Sequence, residues 1–254
     1  MKKIVLIGSG NVATHLGQAL YNKGVEILQV WSQSLDNANI LAHKINSQGI
    51  SDMQHIVADA DAYIFSVKDD ALTEVLQRFP YADKMIFHTA GSVAASLLAP
   101  FSSRYGVLYP FQTFSKAKEL DFSEVPILLE ASDDGVMKTL RALAESISQK
   151  VILASSAQRK YLHIAGVFAC NFTNHLYSIA EEVLTQNDLE FDLIKPLITE
   201  TAQKAMLHSP KTVQTGPAAR KDKEIINAHL EMLEDNPELH SLYRLLSERI
   251  MKEA

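Results

Sequence analysis

The sequence has two groups of residues whose types and spacing could do chemistry, and the first is a run of glycines near the amino terminus. The segment IVLIGSGNVATHLGQAL, residues 4–20, places small residues at positions 8, 10, 13 and 17. In the G-x-G-x-x-G pattern, these residues permit a tight turn, a close backbone approach to a pyrophosphate and close packing of a helix on a sheet. The phosphates would face the N–H groups at the start of that helix. A glycine turn without a ligand is the alternative. The predicted dinucleotide contacts are Gly8, Ser9, Gly10, Asn11 and Val12.

A second group of such residues lies on a predicted helix, in the segment HIAGVFACNFTNHLYSI, residues 163–179. At about 100° per residue, five apolar side chains share one face, which is expected to belong to the core: Ile164, Phe168, Phe172, Leu176 and Ile179. Small and hydrogen-bonding residues form the opposite stripe: His163, Gly166, Val167, Cys170, Asn171, Asn174 and Ser178. Because a solvated helix face more often carries Lys and Glu, a ligand or another part of the protein is expected to cover this polar stripe.

The polar stripe contains the candidates for catalysis. Transfer of a hydride to a C=O or C=N bond needs a proton donor or a hydrogen bond to the charge that develops. His163 could supply either and Asn171 could orient the substrate or the histidine, so this pair is predicted to be catalytic, with Lys160 as an alternative donor. Asn174 is predicted to contact the substrate, and Cys170 is expected to be buried. The alternative is that the polar groups are satisfied at an interface between domains or subunits.

Polar residues also follow the predicted strands, where ligands gather in open α/β sheets. The second strand ends without the Asp or Glu that usually binds the ribose hydroxyls of NAD, which favours NADP and leaves NAD possible. The predicted cofactor contacts at two strand ends are Ser32, Gln33, Ser34, Ser66, Val67 and Lys68. Two further residues after strands, His88 and Gln112, are predicted to contact the substrate. Capping of the following helices is an alternative role for some of these side chains.

The loop QTGPAARKD, residues 214–222, holds the last candidate. Its Arg220 guanidinium could bind a substrate carboxylate or phosphate through two parallel hydrogen bonds. We therefore predict that Arg220 contacts the substrate, with a solvated surface arginine on a turn as the alternative. Asp222 is predicted to cap the helix that follows.

These candidates need a sheet whose strand ends meet at one edge, and the sequence pattern predicts one. Strand-like and helical segments alternate over residues 1–154, which is typical of a parallel sheet. Strands are predicted at residues 3–7, 25–31, 62–67, 84–88, 105–109, 125–130 and 151–154, with helices at 12–22, 70–78 and 134–148. Only helical periodicity follows, at residues 158–186, 189–208, 222–234 and 237–252. The predicted fold class is α/β, with a Rossmann-type, mostly parallel sheet in domain 1–154 and an all-helical substrate and dimerisation domain at 155–254.

The composition restricts the class of partner. With 47% hydrophobic and 21% charged residues and a net charge of −6, the chain has the profile of a globular protein without a basic patch for nucleic acid. No cluster of Cys and His has metal-binding spacing, and no apolar stretch approaches the roughly 18 residues of a membrane span. The single cysteine excludes an internal disulfide. We therefore predict a cytoplasmic protein with no targeting segment, metal, nucleic acid or membrane partner.

Five sequence motifs together resemble a known family. Besides the glycine fingerprint, they are HTAG, YPFQTF, HIAGVFACNFTNHL and TGPAARKD. The chain resembles the Rossmann-like proteins with a carboxy-terminal helical domain of unknown function, which are grouped beside pyrroline-5-carboxylate reductase in the 6-phosphogluconate dehydrogenase-like superfamily. The resemblance implies an NADP-dependent oxidoreductase, a cleft between two domains and a homodimer formed through the helical part. Two positions depart from the family pattern, because Tyr109 stands where His is common and Gln33 where Arg is common.

The sequence therefore predicts an NAD(P)-dependent oxidoreductase, with NADP favoured. It would transfer a hydride between the nicotinamide and a small polar metabolite that has a C=O or C=N group. A non-catalytic NADP-binding sensor or scaffold is the alternative, since a fold alone does not distinguish the two.

Overall fold

The computed structural model describes residues 1–253, and their strands form one eight-stranded sheet. The strand order is β3-β2-β1-β4-β5-β6-β7-β8, in which only the β6–β7 pair is antiparallel, so that β7 and β8 run opposite to the other six strands. The strands are β1 (Lys3–Ile7), β2 (Glu26–Trp31), β3 (Gln48–Ile50), β4 (Ala62–Phe65), β5 (Ile86–His88), β6 (Tyr105–Pro110), β7 (Ile127–Ala131) and β8 (Val151–Leu153). The predicted α/β class and the mostly parallel sheet are confirmed.

The central strand β1 shows why the sheet is buried on both faces. Its side chains alternate, so that Ile4 and Leu6 join one hydrophobic cluster while Val5 and Ile7 join another. All four side chains are fully buried. A continuous apolar run is the pattern of a parallel strand covered by helices on both sides.

The helices agree with the predicted positions in most cases. They are α1 (Asn11–Asn22), α2 (Leu35–Lys44), α3 (Leu72–Gln77), α4 (Asp134–Ile147), α5 (Ser156–Gly166), α6 (Thr173–Thr185), α7 (Lys195–Leu207), α8 (Lys223–Met232) and α9 (Pro237–Glu253). The sequence analysis missed α2 and the short β3. A helix predicted as continuous at 158–186 contains a π-helical segment, Val167–Phe172, between α5 and α6.

The chain divides into two compact units, Met1–Asn174 and His175–Ala254. Strands end at Leu153, close to the predicted change of pattern at residue 155, yet α5 and the π segment belong to the first unit. Arg159 of α5 explains this assignment, because its guanidinium is fully buried and bonds to Glu130 of β7 and to the carbonyl of Val93.

The second unit is entirely helical and has few buried side chains. Its buried residues are Ala218, Ile226 and Ser247. An apolar cavity of about 320 Å³ lies between α6, α8 and α9, and the Tyr243 hydroxyl and His229 Nδ1 share a hydrogen bond of 2.8 Å beside it. No helix within residues 1–253 is long and apolar enough to cross a membrane.

Candidate functional site

Gly8 makes the turn at the end of β1 that only glycine permits. Its φ of +126° lies in a region that L side chains rarely adopt. A Cβ at this position would lie 2.1 Å from the carbonyl oxygen of Ser66, so the turn is also in direct contact with the end of β4. The Gly8 N–H donates to the carbonyl of Trp31 at 2.8 Å. The carboxyl ends of β1, β2 and β4 are thus joined at Gly8.

Gly10 has a different environment, and it is here that the loop fits a phosphate. Its φ of −72° suits any residue, and no protein atom lies within 4 Å of the position of a Cβ. The protein's own packing therefore does not require glycine at this position. The first intrahelical bond of α1 runs from Thr14 N to Gly10 O, so the preceding N–H groups lack helical acceptors. Open space beside such donors is what a pyrophosphate needs.

The end of β2 is where the second ribose of a dinucleotide would lie. The Ser9 hydroxyl donates to the Ser32 hydroxyl at 2.9 Å, which ties the glycine loop to this strand end. Ser34 caps α2 by accepting a hydrogen bond from Asn37 N. Gln33 lies between Ser32 and Ser34. Of the three predicted cofactor contacts at this strand end, it is the one that is exposed to solvent.

The loop after β4 holds the other predicted cofactor contacts. Ser66 is buried and accepts a hydrogen bond from the Thr89 hydroxyl at 3.1 Å, which joins the ends of β4 and β5. Val67 is half-buried and Lys68 is exposed. The Ser92 hydroxyl donates to the Asp69 carboxylate, so the loops after β4 and β5 are connected a second time.

Within the first unit, a hydrogen bond joins Tyr109 and His163 beside a small cavity. Tyr109 Oη and His163 Nδ1 are 3.0 Å apart. The cavity has a volume of about 150 Å³. This is less than the roughly 300–1,000 Å³ of pockets for drug-sized ligands, so it suits a small reacting group. Its lining consists of Tyr109, Phe111, Gln112, Thr113, His163, Gly166, Val167, Cys170 and Asn171.

Two glycines allow this arrangement. A Cβ on Gly91, in the loop after β5, would lie 2.6 Å from Tyr109 Cζ and 2.8 Å from His163 Nδ1. A Cβ on Gly166 would lie 2.8 Å from the Phe111 ring. The helix α5 therefore packs closely on the residues that follow β5 and β6, and it brings His163 to Tyr109.

Burial is the main influence on the pKa of Tyr109, and neighbouring charges modify it. Burial raises the pKa of Tyr109 to about 12; the Asp69 carboxylate acts in the same direction and Arg159 in the opposite one. The phenol therefore stays protonated at neutral pH. A protonated phenol can donate a hydrogen bond to an oxygen or nitrogen atom on which negative charge develops.

An ion pair between the fully buried Arg159 and the half-buried Glu130 fixes the start of α5. Arg159 Nη1 lies 2.5 Å from a Glu130 carboxylate oxygen, and the Ser156 hydroxyl donates to the same oxygen at 2.7 Å. Burial alone would raise the pKa of Glu130, but the hydrogen bonds from Ser156 and Arg159 and the charge of Arg159 hold it below its usual range. Ser156 also accepts a hydrogen bond from Ala95 N. The loop after β5, the strand β7 and the helix α5 are thus connected one turn before His163.

His88 is not placed to contact a substrate, which corrects its predicted role. The side chain is fully buried, and its Nδ1 accepts a hydrogen bond from Ala90 N at 3.1 Å. Burial lowers the pKa of His88 to about 4, and the positive charge of Arg159 acts in the same direction. His88 therefore supports the turn that leads to Gly91 from inside the protein.

We expect His88 to make the stability of the protein depend on pH. Because its folded pKa of about 4 is below the ordinary value of 6.5, the unfolded chain takes up the proton first as the pH falls. The free energy of unfolding should therefore decrease between pH 6.5 and 4, by about 3 kcal/mol in total. Urea titrations across this range should show a smaller decrease in His88→Asn. His55→Asn, at an exposed histidine, is the control, and equal pH dependence in both variants would contradict this assignment.

The remaining predicted site residues fall in different places. Asn11 donates its side-chain amide to the carbonyl of Phe114 at 2.9 Å, and Val12 is half-buried at the start of α1. Gln112 is exposed and lines the cavity. Asn174 ends the first unit outside that lining, whereas Arg220 is an exposed residue of the second unit.

Two expectations about the helical segment are wrong. The apolar face was expected to be core, but Ile164, Phe168 and Phe172 are at least half exposed in the single chain. Cys170 was expected to be buried, but it is exposed beside the cavity. The periodicity correctly separates the two faces, since five of the seven residues of the polar stripe line the cavity and no residue of the apolar face does, but it does not identify which face is covered.

The sequence analysis missed three residues of the site: Tyr109, Gly91 and Arg159. Gly91 and Tyr109 lie in the HTAG and YPFQTF motifs, so their positions at or just after the ends of predicted strands could have indicated a role in the site. The role of Arg159 had no such signal, because its partners Glu130 and Val93 are distant in sequence.

A larger open pocket of about 690 Å³ lies along α1, and it does not meet the glycine loop. Its lining includes Asn22 and Lys23 at the carboxyl end of α1. A helix that follows a parallel strand returns toward the amino ends of the strands, so this pocket extends away from the edge where ligands gather.

Comparison with known proteins identifies the family. Residues 3–99 match the model of the family described as NADP oxidoreductase, coenzyme F420-dependent, and residues 125–250 match the domain of unknown function DUF2520. A protein from Bacteroides fragilis, described as a "putative NADP oxidoreductase", is 45% identical, with 99% of this chain and 98% of that chain covered and a TM-score of 0.93. The chain belongs to this NADP oxidoreductase family. The predicted resemblance and oxidoreductase class are confirmed.

Two more distant structures share the fold of this NADP oxidoreductase. A reductive aminase from Aspergillus terreus, solved with cyclohexanone and allyl amine, has 16% identity and a TM-score of 0.72 over 100% of this chain and 95% of that one. A pyrroline-5-carboxylate reductase from Coxiella burnetii has 18% identity and a TM-score of 0.58 over 99% and 98%. No curated protein matches the sequence significantly.

Proposed function

We propose that the protein is an NADP-dependent oxidoreductase that transfers a hydride between the nicotinamide and a C=O or C=N group of a small polar metabolite. The observation that carries this proposal is the Tyr109–His163 pair beside a cavity, in the same compact unit as the glycine loop. A nucleotide-binding module without catalysis has no need of a proton donor beside such a cavity.

The glycine loop would hold the pyrophosphate of NADP through the N–H groups at the start of α1. At the end of β2, Gln33 is the exposed side chain beside the second ribose position, while Ser32 and Ser34 already have hydrogen-bond partners. Absence of a carboxylate there avoids repulsion of a 2′-phosphate. Ser66, Val67 and Lys68 would line the path toward the cavity. When bound, the nicotinamide supplies or accepts the hydride.

The residues of the cavity support a small substrate with an electrophilic carbon. His163 would supply a proton or a hydrogen bond to the reacting oxygen or nitrogen, and the exposed Asn171 and Gln112 would orient polar substituents. The reductive aminase and the pyrroline-5-carboxylate reductase that share the fold favour a C=N substrate as the first to be tested. Asn174 and Arg220 remain proposed substrate contacts from the sequence.

The experiment has two stages. NADPH, NADH and reduced coenzyme F420 are titrated separately by fluorescence, and cyclic imines and keto acids are then screened for oxidation of the cofactor that binds. We expect NADPH to bind more tightly than NADH and at least one carbonyl or imine to be reduced. Tight NADPH binding without turnover on any substrate would instead favour an NADP-binding sensor. Failure to bind any of the three cofactors would contradict the proposal entirely.

We also propose that the functional protein is a homodimer. The π segment exposes Phe168 and Phe172, and Tyr161 of α5 is 77% exposed. The second unit separately exposes large apolar side chains, including Met206 and Met232 at 86% and 81%. Patches of this kind mark protein interfaces, and a second copy of the chain would cover them.

Light scattering on a size-exclusion column should therefore give twice the mass of one chain. Phe168→Glu places a charge in the exposed apolar face and should shift the mass toward that of a monomer. Lys160→Glu, at an exposed polar position on the preceding helix α5, is the control and should leave the dimer intact. A monomeric wild-type protein would refute the proposed assembly.

A further inference from the structure

The hydroxyl of Tyr109 has a position that the proposed role of His163 does not explain. It lies 3.0 Å from His163 Nδ1, and both side chains line the same cavity. A histidine that delivered the proton alone would direct this nitrogen toward the substrate. Here the nitrogen already has a partner that is itself a proton donor, and that partner borders the space for the reacting group.

We propose that Tyr109 is the catalytic residue that delivers the proton, and that His163 replaces the proton that Tyr109 gives up. This inference rests on the proposed oxidoreductase function. The carbonyl or imine carbon gains a hydride from reduced nicotinamide, and the electron pair of its double bond moves to the oxygen or nitrogen. That atom takes the proton of Tyr109 Oη. The resulting phenolate takes the proton from His163 Nδ1 while His163 Nε2 takes a proton from solvent, so the net charge of the imidazole does not change and its tautomer is exchanged.

The surroundings of the pair hold it in one arrangement. Gly91 leaves no room for a side chain between the loop after β5 and the two rings. Tyr109 is fixed on β6, paired with Leu128 of β7. Arg159 fixes α5 one turn before His163 through Glu130 and Val93. Both members of the pair are thus attached to rigid elements, which is the condition for proton transfer across one hydrogen bond.

The neighbouring charges agree with a donor that must remain protonated. Burial raises the pKa of Tyr109 to about 12, so the phenol is neutral in the resting enzyme. Asp69 contributes to this effect from the loop after β4, and Arg159 opposes it from α5. Glu130 is paired with Arg159, and the pKa of Glu130 is held below its usual range, so it stays charged near neutrality. His88 is buried and its pKa is lowered to about 4, so no proton from His88 competes at neutral pH.

The test compares Tyr109→Phe with Tyr105→Phe. Tyr105 lies four residues earlier on the same strand and is not among the residues that line the cavity. Tyr109→Phe removes one oxygen and keeps the ring, so we expect the fold and the NADPH dissociation constant to be retained. The turnover number should fall about 100-fold. Tyr105→Phe should stay within about twofold of the wild type, since general acid catalysis does not involve it.

Two further measurements separate a catalytic role from a structural one. In the cofactor-free protein, the ¹⁵N resonance of His163 Nδ1 should shift in Tyr109→Phe and not in Tyr105→Phe. In D₂O, the wild type should turn over more slowly, and this solvent isotope effect should be diminished in Tyr109→Phe. The turnover number of the double variant Tyr109→Phe/His163→Gln should be about equal to that of the slower of the two single variants. The effects of residues that act as a unit are not additive.

The outcomes distinguish this inference from the function on which it rests. A wild-type protein that reduces no carbonyl or imine with any cofactor overturns the proposed function and the role of Tyr109 with it. A wild-type protein that turns over, with Tyr109→Phe equally active, overturns the role of Tyr109 alone. An unshifted ¹⁵N resonance in Tyr109→Phe also overturns it, because the hydrogen bond that carries the inference would then be absent.

Discussion

Replacing His163 by glutamine is expected to lower the turnover number by about 10²- to 10⁴-fold, the usual contribution of a positioned acid or base. Glutamine can still hydrogen-bond to the Tyr109 hydroxyl, which lies 3.0 Å from His163 Nδ1, but it cannot give up or take up a proton at neutral pH. The protein should therefore keep its structure and lose the means to restore the proton used in each turnover. Steady-state kinetics with the substrate found by screening measure this loss.

The matched control for this variant is His175→Gln. His175 is exposed and belongs to the second compact unit, so the same chemical change there should leave the turnover number nearly unaltered. The NADPH dissociation constant should change by less than about twofold in both variants, since His163 lies outside the glycine loop. If His163→Gln keeps wild-type turnover, the histidine is a structural residue of the helix and the proposed site has to be placed elsewhere.

The glycine loop, residues 8–12, was predictable from sequence because the residues that shape it are close together in the chain. The positive φ at Gly8, the open position at Gly10 and the packing of α1 on β1 are requirements within one strand–turn–helix segment, although Gly8 also contacts Ser66. Gly17 shows this clearly, since a Cβ there would lie 2.8 Å from the Leu6 side chain. Local steric requirements therefore select small residues at fixed spacing, and that spacing can be read without a structure.

The cavity beside Tyr109 and His163 was only partly predictable, because the residues that line it are distant from one another in the sequence. The periodicity of residues 163–179 correctly grouped His163 with Asn171, which line one cavity. It could not show that Tyr109 lies beside His163, because this depends on how α5 packs across β6 and β7. Arg159 determines that packing through a fully buried guanidinium, and a single arginine in a helical pattern is ordinarily assigned to solvent.

The apolar face of the same helix shows a second limit of periodicity. A hydrophobic stripe indicates that something covers it, but intramolecular packing and a second subunit produce the same pattern. Ile164 and Phe168 are 52% and 64% exposed in the single chain. The sequence therefore identified the apolar face of the helix correctly and assigned it wrongly to the core of the chain.

The two glycines of the glycine loop should respond oppositely to alanine. Gly8→Ala introduces a Cβ 2.1 Å from the Ser66 carbonyl oxygen at a φ of +126°, so both overlap and backbone strain oppose it. Each of these effects costs about 1–3 kcal/mol, and together they should lower the free energy of unfolding by about 4 kcal/mol. Gly10→Ala meets no protein atom within 4 Å at a φ of −72°. Its stability should be unchanged or higher by up to about 1 kcal/mol.

Gly10→Ala should weaken cofactor binding even though it does not destabilise the protein. Since the space beside Gly10 is needed by the pyrophosphate and not by the protein, Gly10→Ala should weaken NADPH binding at least about tenfold, equivalent to about 1.4 kcal/mol. Gly135→Ala is the control, because Gly135 follows the start of α4 and does not belong to the glycine loop. Urea unfolding and NADPH titration on the same samples give both quantities. A folded Gly10→Ala protein with wild-type affinity would show that the open space at Gly10 is not where the phosphates bind.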